Sequence, residues 1–296
     1  MNGFEFYQPK GWLSPSAASS FSRCPRHYFY NQGCGLATSE EGAALVFGGC
    51  IHRAIPYAFK GDLTKAMEVF CSGWKAELQD EKRNPMRAKA MLESFYDSHK
   101  NEKSIYNPIP SPENRLKVEE HNGEYEVPFA VDIGLDVPLV GLVDCLARHR
   151  DTNEIHVVEF KTSSQLSNMF LQAFDMSPQV LTYALAMRIL LNEKIAGVFV
   201  EGLLVSKVSC STIVVPISIK DFNLEETLSW LKSIHLRIRE CESKEDFPKH
   251  FSGCNSYDMF GMPSYTCPYA PLCKTTENWV DLMSMYIIKE RKETPF

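Results

Sequence analysis

Three side chains near the middle of the chain have the types and spacing of a hydrolytic metal site. They are Asp144 in GLVDCLA and Glu159 and Lys161 in VVEFKTSS. Residues 141–164 read as two neighbouring strands joined by a charged, polar turn at 149–154. On the second strand, the side-chain period of two puts Glu159 and Lys161 on one face and Val158 and Phe160 on the other. If the first strand pairs beside it with Asp144 on the same face, two carboxylates and an ammonium converge. Two carboxylates with open positions suit Mg²⁺ or Mn²⁺, and a lysine close by holds or polarises an attacking water. The plainer reading of the same residues is an ion pair at a sheet edge, since a charge buried on a strand needs a partner.

Other elements must position these groups. Ser14 is an N-cap candidate, followed by Pro15 at the first helical position of a helix spanning 13–31, with Tyr28, Phe29 and Tyr30 as core aromatics. A glycine-containing link at 41–49 leads to FGGCIHRAIPYAF, in which Ile51, Ile55 and Phe59 share a helical face and His52 sits beside that stripe. A lone histidine there is usually structural; its other reading is a metal ligand. Helices are expected near 64–80 and 86–99, separated by the charged stretch EKRNP, and Arg83, Arg87 and Lys89 make this the most basic local segment. This arm reads as a solvated face, with phosphate contact as the alternative. Strands follow at 115–120 and 125–133, carrying Glu119 and Glu126 as edge charges or further ligands. Ser177-Pro178 opens a helix in which Gln179 and Tyr183, four apart, share a face. A strand pair at 197–206 and 210–218, a helix at 224–239 and a final helix near 277–288 complete the order.

The chain of 296 residues can bury a substantial core, and its 44% apolar and 23% charged residues are those of an ordinary globular protein. We expect one domain over 1–296, with a helical arm at 62–104, a catalytic sheet core at 115–220 and a terminal region made of 13–31 and 241–290. No apolar run reaches the roughly 18 residues that span a bilayer, and MNGFEFYQPK lacks a signal-peptide core, so a cytoplasmic location in a bacterium or a phage-infected cell is expected. The formal charge of −6 does not by itself announce a nucleic-acid binder, although a carboxylate metal site contributes to it. No phosphate-binding GxxxxGK[ST] loop occurs, which excludes an ATP-driven helicase within this chain.

Ten cysteines is a high count for such a chain. Cys50, Cys71, Cys145 and Cys210 lie in apolar sequence and read as small buried hydrophobes. Cys24, Cys254, Cys267 and Cys273 lie instead in polar, Pro- and Gly-containing sequence at the two ends.

Six segments in order, LSPSAASSFSRCPRHYFY, FGGCIHRAI, GLVDCLARH, VVEFKTSS, QVLTY and CPYAPLC, make the chain resemble the RecB-like branch of the PD-(D/E)XK nucleases. That group includes the CRISPR-adaptation exonucleases, the AddB nuclease domain and many phage exonucleases. The resemblance implies an α/β, restriction-endonuclease-like core, a mixed sheet flanked by helices, with a helical insertion and a cysteine-clamped terminal region. It implies that His52, Asp144, Glu159 and the Phe160 carbonyl hold a divalent metal, Mg²⁺ or Mn²⁺. Lys161 would activate water or stabilise the phosphate, and Gln179 and Tyr183 would match the QxxxY element that positions the substrate backbone.

The resemblance further implies a [4Fe–4S] cluster on Cys24, Cys254, Cys267 and Cys273, with structural Zn²⁺ as the alternative. The twelve residues between Cys254 and Cys267 depart from the tight CxxC of the CRISPR-adaptation members, and Cys241 is a possible substitute for Cys254. The implied activity is a metal-dependent DNA exonuclease acting on single strands or duplex ends, without a membrane. Its partners would be a recombinase, a single-strand-binding protein or a helicase. Two other classes compete with it: a DNA-binding recruitment module with a weakened site, and a zinc-stabilised structural protein.

Overall fold

The structure is a computed structural model describing residues 7–8, 10–38, 42–112, 125–167, 173–257, 263–275 and 279–289. The expected strand at 115–120, with Glu119, lies outside the described residues. Helix α1 (Pro15–Arg23) starts as its sequence dictates, with the Ser14 hydroxyl accepting the Ala17 N–H at 3.2 Å. It stops sooner than expected. Cys24 is extended, at φ −162° and ψ 111°, because the ring of Pro25 disfavours helical backbone in the residue before it. The chain then forms α2 (Pro25–Tyr28), a π-helical turn over Phe29–Gly33 and the short strand β1 (Leu36–Thr38). Tyr28, Phe29 and Tyr30 are buried, as their aromatic character demands.

Helix α3 (Ala43–Phe59) includes the glycines expected to form a link. A Cβ at Gly48 would lie 2.9 Å from Thr162 Oγ1, so the missing side chain lets the helix close onto the sheet. Helices α4 (Leu63–Gly73) and α5 (Pro85–His99) are capped by the side chains of Asp62 and Asn84. The helix expected to reach residue 80 ends at Gly73, leaving only a single 3₁₀ turn at Ala76–Leu78.

Strands β2 (Tyr106–Pro108), β3 (Tyr125–Val131), β4 (Leu139–His149) and β5 (Ile155–Ser163) follow, then helix α6 (Pro178–Leu191) and strands β6 (Ile195–Leu204) and β7 (Thr212–Ser218). Helix α7 (Asp221–Arg239) buries Leu231, Ile234 and Ile238, the stripe expected from its period. The tail forms β8 (Asn255–Tyr257), β9 (Pro263–Thr266), α8 (Ala270–Lys274) and β10 (Tyr286–Ile288). The final helix expected near 277–288 is replaced by a 3₁₀ turn at Asp281–Met285 and by β10, whose backbone pairs antiparallel with β1.

The chain divides into two compact units, one of Glu41–Phe129 and Leu142–Leu224, the other of Met1–Glu40, Ala130–Gly141 and Glu225–Phe296. The first holds a mixed α/β layer structure. Its sheet runs β2-β4-β5-β6-β7, with β3 also on β4. Strands β4 and β5 are antiparallel, β5 and β6 parallel, and β6 and β7 antiparallel. The parallel pair needs a crossover, and α6 supplies it. Val158 and Phe160 face helices α3, α4 and α5 in one apolar cluster with Phe47, Ile55, Phe70 and Phe95. Helix α6 covers the face bearing Glu159. This is the restriction-endonuclease-like arrangement expected from the sequence.

Three expectations about single residues change. Cys71 is exposed, because it lies on the outer side of α4, and Cys210 is half-buried, its Sγ accepting from Arg87, whereas Cys50 and Cys145 are buried as expected. Arg87 does not face solvent freely; it donates to the Ser206 and Ser209 carbonyls at 2.9 and 3.0 Å and so ties α5 to the β6–β7 turn. Arg83 and Lys89 are engaged locally by Asp80 and Glu93.

At Gly197 a Cβ would lie 2.2 Å from the Ile217 carbonyl oxygen on the paired strand, an atom that cannot move without breaking the ladder. Gly197→Ala should therefore lower stability by about 1–3 kcal/mol in urea denaturation. An unchanged midpoint would contradict this strand pairing.

Candidate active site

Strand pairing brings the three central residues together. The β4–β5 register pairs Cys145 with Val158, so Asp144 lies one position beyond it, on the Glu159 side of the ladder. Asp144 Oδ2 accepts the Phe160 N–H at 2.8 Å, and its Oδ1 lies 3.5 Å from His52 Nδ1 on α3. Glu159 is only 3% exposed. Its Oε1 accepts from Lys161 Nζ at 2.5 Å and from Gln179 Nε2 at 2.9 Å. Its Oε2 is buried and has no hydrogen-bond partner among the described residues. Lys161 also donates to Gln179 Oε1 at 3.2 Å, and Gln179 Nε2 donates to Tyr183 Oη at 3.1 Å.

The six side chains thus form two groups side by side in one unit, His52 with Asp144 and Glu159 with Lys161, Gln179 and Tyr183, joined through the Phe160 backbone N–H that Asp144 accepts. The Phe160 ring points away into the apolar cluster. The direct contact of Gln179 with both Glu159 and Lys161 was not legible in the sequence, which showed only that Gln179 and Tyr183 share a helix face.

The four cysteines lie in the other unit, and none forms a disulfide. Cys24 Sγ accepts the His250 N–H at 3.4 Å, Cys254 Sγ lies 3.8 Å from the His250 carbonyl, and the Cys267 N–H donates to the Cys254 carbonyl at 2.7 Å. Burial pushes the Cys273 thiol up to about 11, and Cys267 and Cys24 lie within electrostatic reach of it. Cys241, the possible substitute, turns its Sγ to the Arg237 and Asp246 carbonyls instead. Among the described residues, no three His, Cys, Asp or Glu side chains stand close enough together to hold a metal ion as they are.

The sequence matches the family model of the PD-(D/E)XK nuclease superfamily over residues 12–274. The chain belongs to the PD-(D/E)XK nuclease superfamily. Its structure is similar to that of a supposed exonuclease from Eubacterium rectale, at 14% identity and a TM-score of 0.44, covering 77% of this chain and 80% of that one. It is also similar to the structure of the protein SSO0001, at 10% identity and a TM-score of 0.33, covering 80% of each chain. No curated protein matches the sequence. No described helix is long and apolar enough to cross a membrane.

The electrostatics of this PD-(D/E)XK nuclease are those of a site short of positive charge. Burial, and then the neighbouring Asp144 charge, push the Glu159 carboxyl up to about 7 despite the pull of Lys161. Burial also opposes a charge on His52, but the hydrogen bond and charge of Asp144 outweigh it and hold the imidazole above its usual value. The orphaned Glu159 Oε2 is what a bound cation would satisfy, so the donor set fits a divalent ion in kind: two carboxylates and an imidazole.

Because the folded Glu159 pKa lies above that of an ordinary carboxyl, its contribution to stability is present in acid and lost as pH rises through about 7. In metal-free buffer at pH 8, Glu159→Gln should be more stable than the parent by about 3 kcal/mol, the gain disappearing below about pH 4. Parallel urea titrations at the two pH values check this; a variant less stable at pH 8 would show Glu159 to be well solvated or fully paired.

Proposed function

We propose that this chain is a metal-dependent DNA exonuclease that hydrolyses phosphodiester bonds at single strands or duplex ends, in recombination, repair or phage DNA metabolism. One observation carries the reading: a buried carboxylate with an unsatisfied oxygen, linked through Lys161 and Gln179 into one network beside Asp144. His52, Asp144, Glu159 and the Phe160 carbonyl would hold the metal, Mg²⁺ or Mn²⁺. Such an ion supplies a nucleophile at neutral pH and neutralises charge on the phosphate oxygens.

The chain's own residues do the rest. Lys161 presents an ammonium that orients the attacking water and stabilises negative charge developing on phosphorus-bound oxygen. Its hold on Glu159 and Gln179 restricts the side chain to one place, which is what precise orientation requires. Gln179 carries the contact onward to Tyr183, whose hydroxyl burial keeps protonated, and these two would position the substrate backbone.

The four cysteines would hold a [4Fe–4S] cluster, or a structural Zn²⁺ in its place, tying the two ends of the chain together. Support comes from charge as well as from the four free thiols. Arg26 is 8% exposed, donates Nε–H to the Phe247 carbonyl and has no carboxylate partner among the described residues. Lys244, also buried, lies over the Trp279 ring at 5.1 Å and has, among the described residues, only the exposed Glu245 as an anion, at 3.9 Å. Both lie within electrostatic reach of Cys273 or one another. Two buried cations short of anions suit a thiolate centre of negative charge. A recombinase, single-strand-binding protein or helicase would deliver the DNA.

End-labelled DNA should be degraded in Mn²⁺ and not in EDTA. Lys161→Ala should lower the rate by about 100-fold or more while leaving salt-dependent DNA binding intact. Cleavage retained in that variant would overturn the mechanism, and binding without cleavage by the parent protein would favour the recruitment reading. Anaerobically purified protein should be brown, with about four irons per chain. One zinc in colourless, active protein would replace the cluster and keep the nuclease.

A further inference from the structure

Glu201, on β6, is fully buried and plays no part in the site described above. Tyr106 Oη donates to its Oε2 at 2.5 Å, His99 Nε2 lies 3.3 Å from the same oxygen, and Oε1 has no hydrogen-bond partner among the described residues. The other nitrogen of His99, Nδ1, is 2.8 Å from the Phe95 carbonyl and 3.0 Å from Ser98 Oγ, whose own proton goes to that carbonyl at 2.7 Å. A carbonyl only accepts, so Nδ1 must carry a hydrogen. A neutral His99 would then turn the lone pair of Nε2 toward a carboxylate lone pair. One further proton must therefore sit between Nε2 and Oε2, on the imidazole or on the carboxyl; the Tyr106 hydroxyl donating to that same oxygen favours the carboxylate, and so the imidazolium–carboxylate form. Burial opposes this charge on His99, but the bond to Glu201 outweighs it and holds the imidazole above its usual value.

A buried ion pair is a weak source of stability, so its placement is the informative feature. Glu201 is in register with Phe160 on the parallel neighbour, and side chains in register share a face. Phe160 is flanked in sequence by Glu159 and Lys161, and its N–H is held by Asp144. A chain of rings completes the connection: His99 to Phe95 at 4.3 Å, Phe95 to Phe160 at 5.9 Å and Phe160 to His52 at 6.2 Å. The pair thus lies behind the stretch that carries the cleavage residues, between α5 and the sheet. The other groups around it are Tyr125 of β3 and Cys145 of β4, near Tyr106, and the Phe59 ring of α3.

We propose that His99, Glu201 and Tyr106 are positioning residues for the cleavage site, a one-proton clamp that fixes α5 to β6 and sets the position of Phe160, and that opens when His99 loses its proton in alkali. The activity part of this rests on the nuclease reading; the protonation part does not.

Imidazole ¹⁵N spectra of the metal-free protein at pH 7 should show His99 doubly protonated, and a singly protonated ring would overturn the clamp. Glu201→Gln should weaken Mn²⁺ binding, measured by calorimetry, or lower kcat at constant KM, by about tenfold. His99→Gln keeps a donor to Glu201 that cannot titrate, so the alkaline loss of activity due to His99 should vanish from its pH profile. Glu201→Gln with the parental Mn²⁺ affinity, kcat and pH profile would overturn the positioning role. If that variant fails to fold by circular dichroism, Tyr106→Phe, which removes one hydrogen bond, should show the same changes to a smaller degree, and parental behaviour there overturns the role equally. A parent protein that neither binds Mn²⁺ nor cuts DNA would sink the nuclease reading and the positioning role together, while the ¹⁵N spectra still decide the ion pair.

Discussion

A carboxylate buried in a sheet, with one oxygen satisfied and the other not, is the constraint around which the first unit is arranged. Glu159 can lie there only because Lys161, two residues along the same strand face, reaches its Oε1, and because α6 brings Gln179 over the same face. Those contacts satisfy one oxygen. The remaining one, in a carboxyl that also feels the Asp144 charge, makes the position costly for a bare protein and favourable for a cation. The crossover from β5 through α6 to β6 follows from the parallel pairing, and it is also what carries Gln179 and Tyr183 to the site.

The opposite face of the same strand is built on other physics. Val158 and Phe160 pack against α3, α4 and α5, and the glycine at position 48 lets α3 approach closely enough for His52 to reach Asp144. Apolar packing of α3 therefore sets the distance from its His52 to Asp144, which belongs to the opposite face of the sheet. Phe160 takes part in both, since its ring belongs to the core and its N–H belongs to Asp144. The second unit differs in character. There, aromatic rings gather around Phe247, with Tyr7, Phe21, Tyr28 and Phe29 all within ring-contact distance, and the cysteines and buried cations lie in the same unit.

Local rules make much of this legible in the sequence. Ser14-Pro15 and Ser177-Pro178 mark helix starts, the alternation in VVEFKTSS separates Glu159 and Lys161 from Phe160, and the turn at 149–154 joins the central strands. Expectation and fold part company where a second rule competes with periodicity. Pro25 breaks a helix at Cys24, Gly48 and Gly49 read as a link although packing makes them helical, and the tail near residue 286 pairs with β1 although its own pattern suggests a helix. Cys71 reads as buried because its neighbours are apolar, but a helix turns each neighbour to a different side.

By itself the sequence determined which residues have the chemistry for a nuclease site and, for the strand residues, which face each takes, because side-chain type and backbone period are local properties. Only the tertiary structure decided which groups meet. Register between β4 and β5 set Asp144 beside Glu159, and packing of α6 gave Gln179 its two partners. The meeting of α5, β2 and β6 created the His99–Tyr106–Glu201 cluster, whose tyrosine and carboxylate are 95 positions apart in the chain. No sequence pattern announces such a cluster. Its members are joined by burial and by one shared proton, and both exist only once the chain has closed around them.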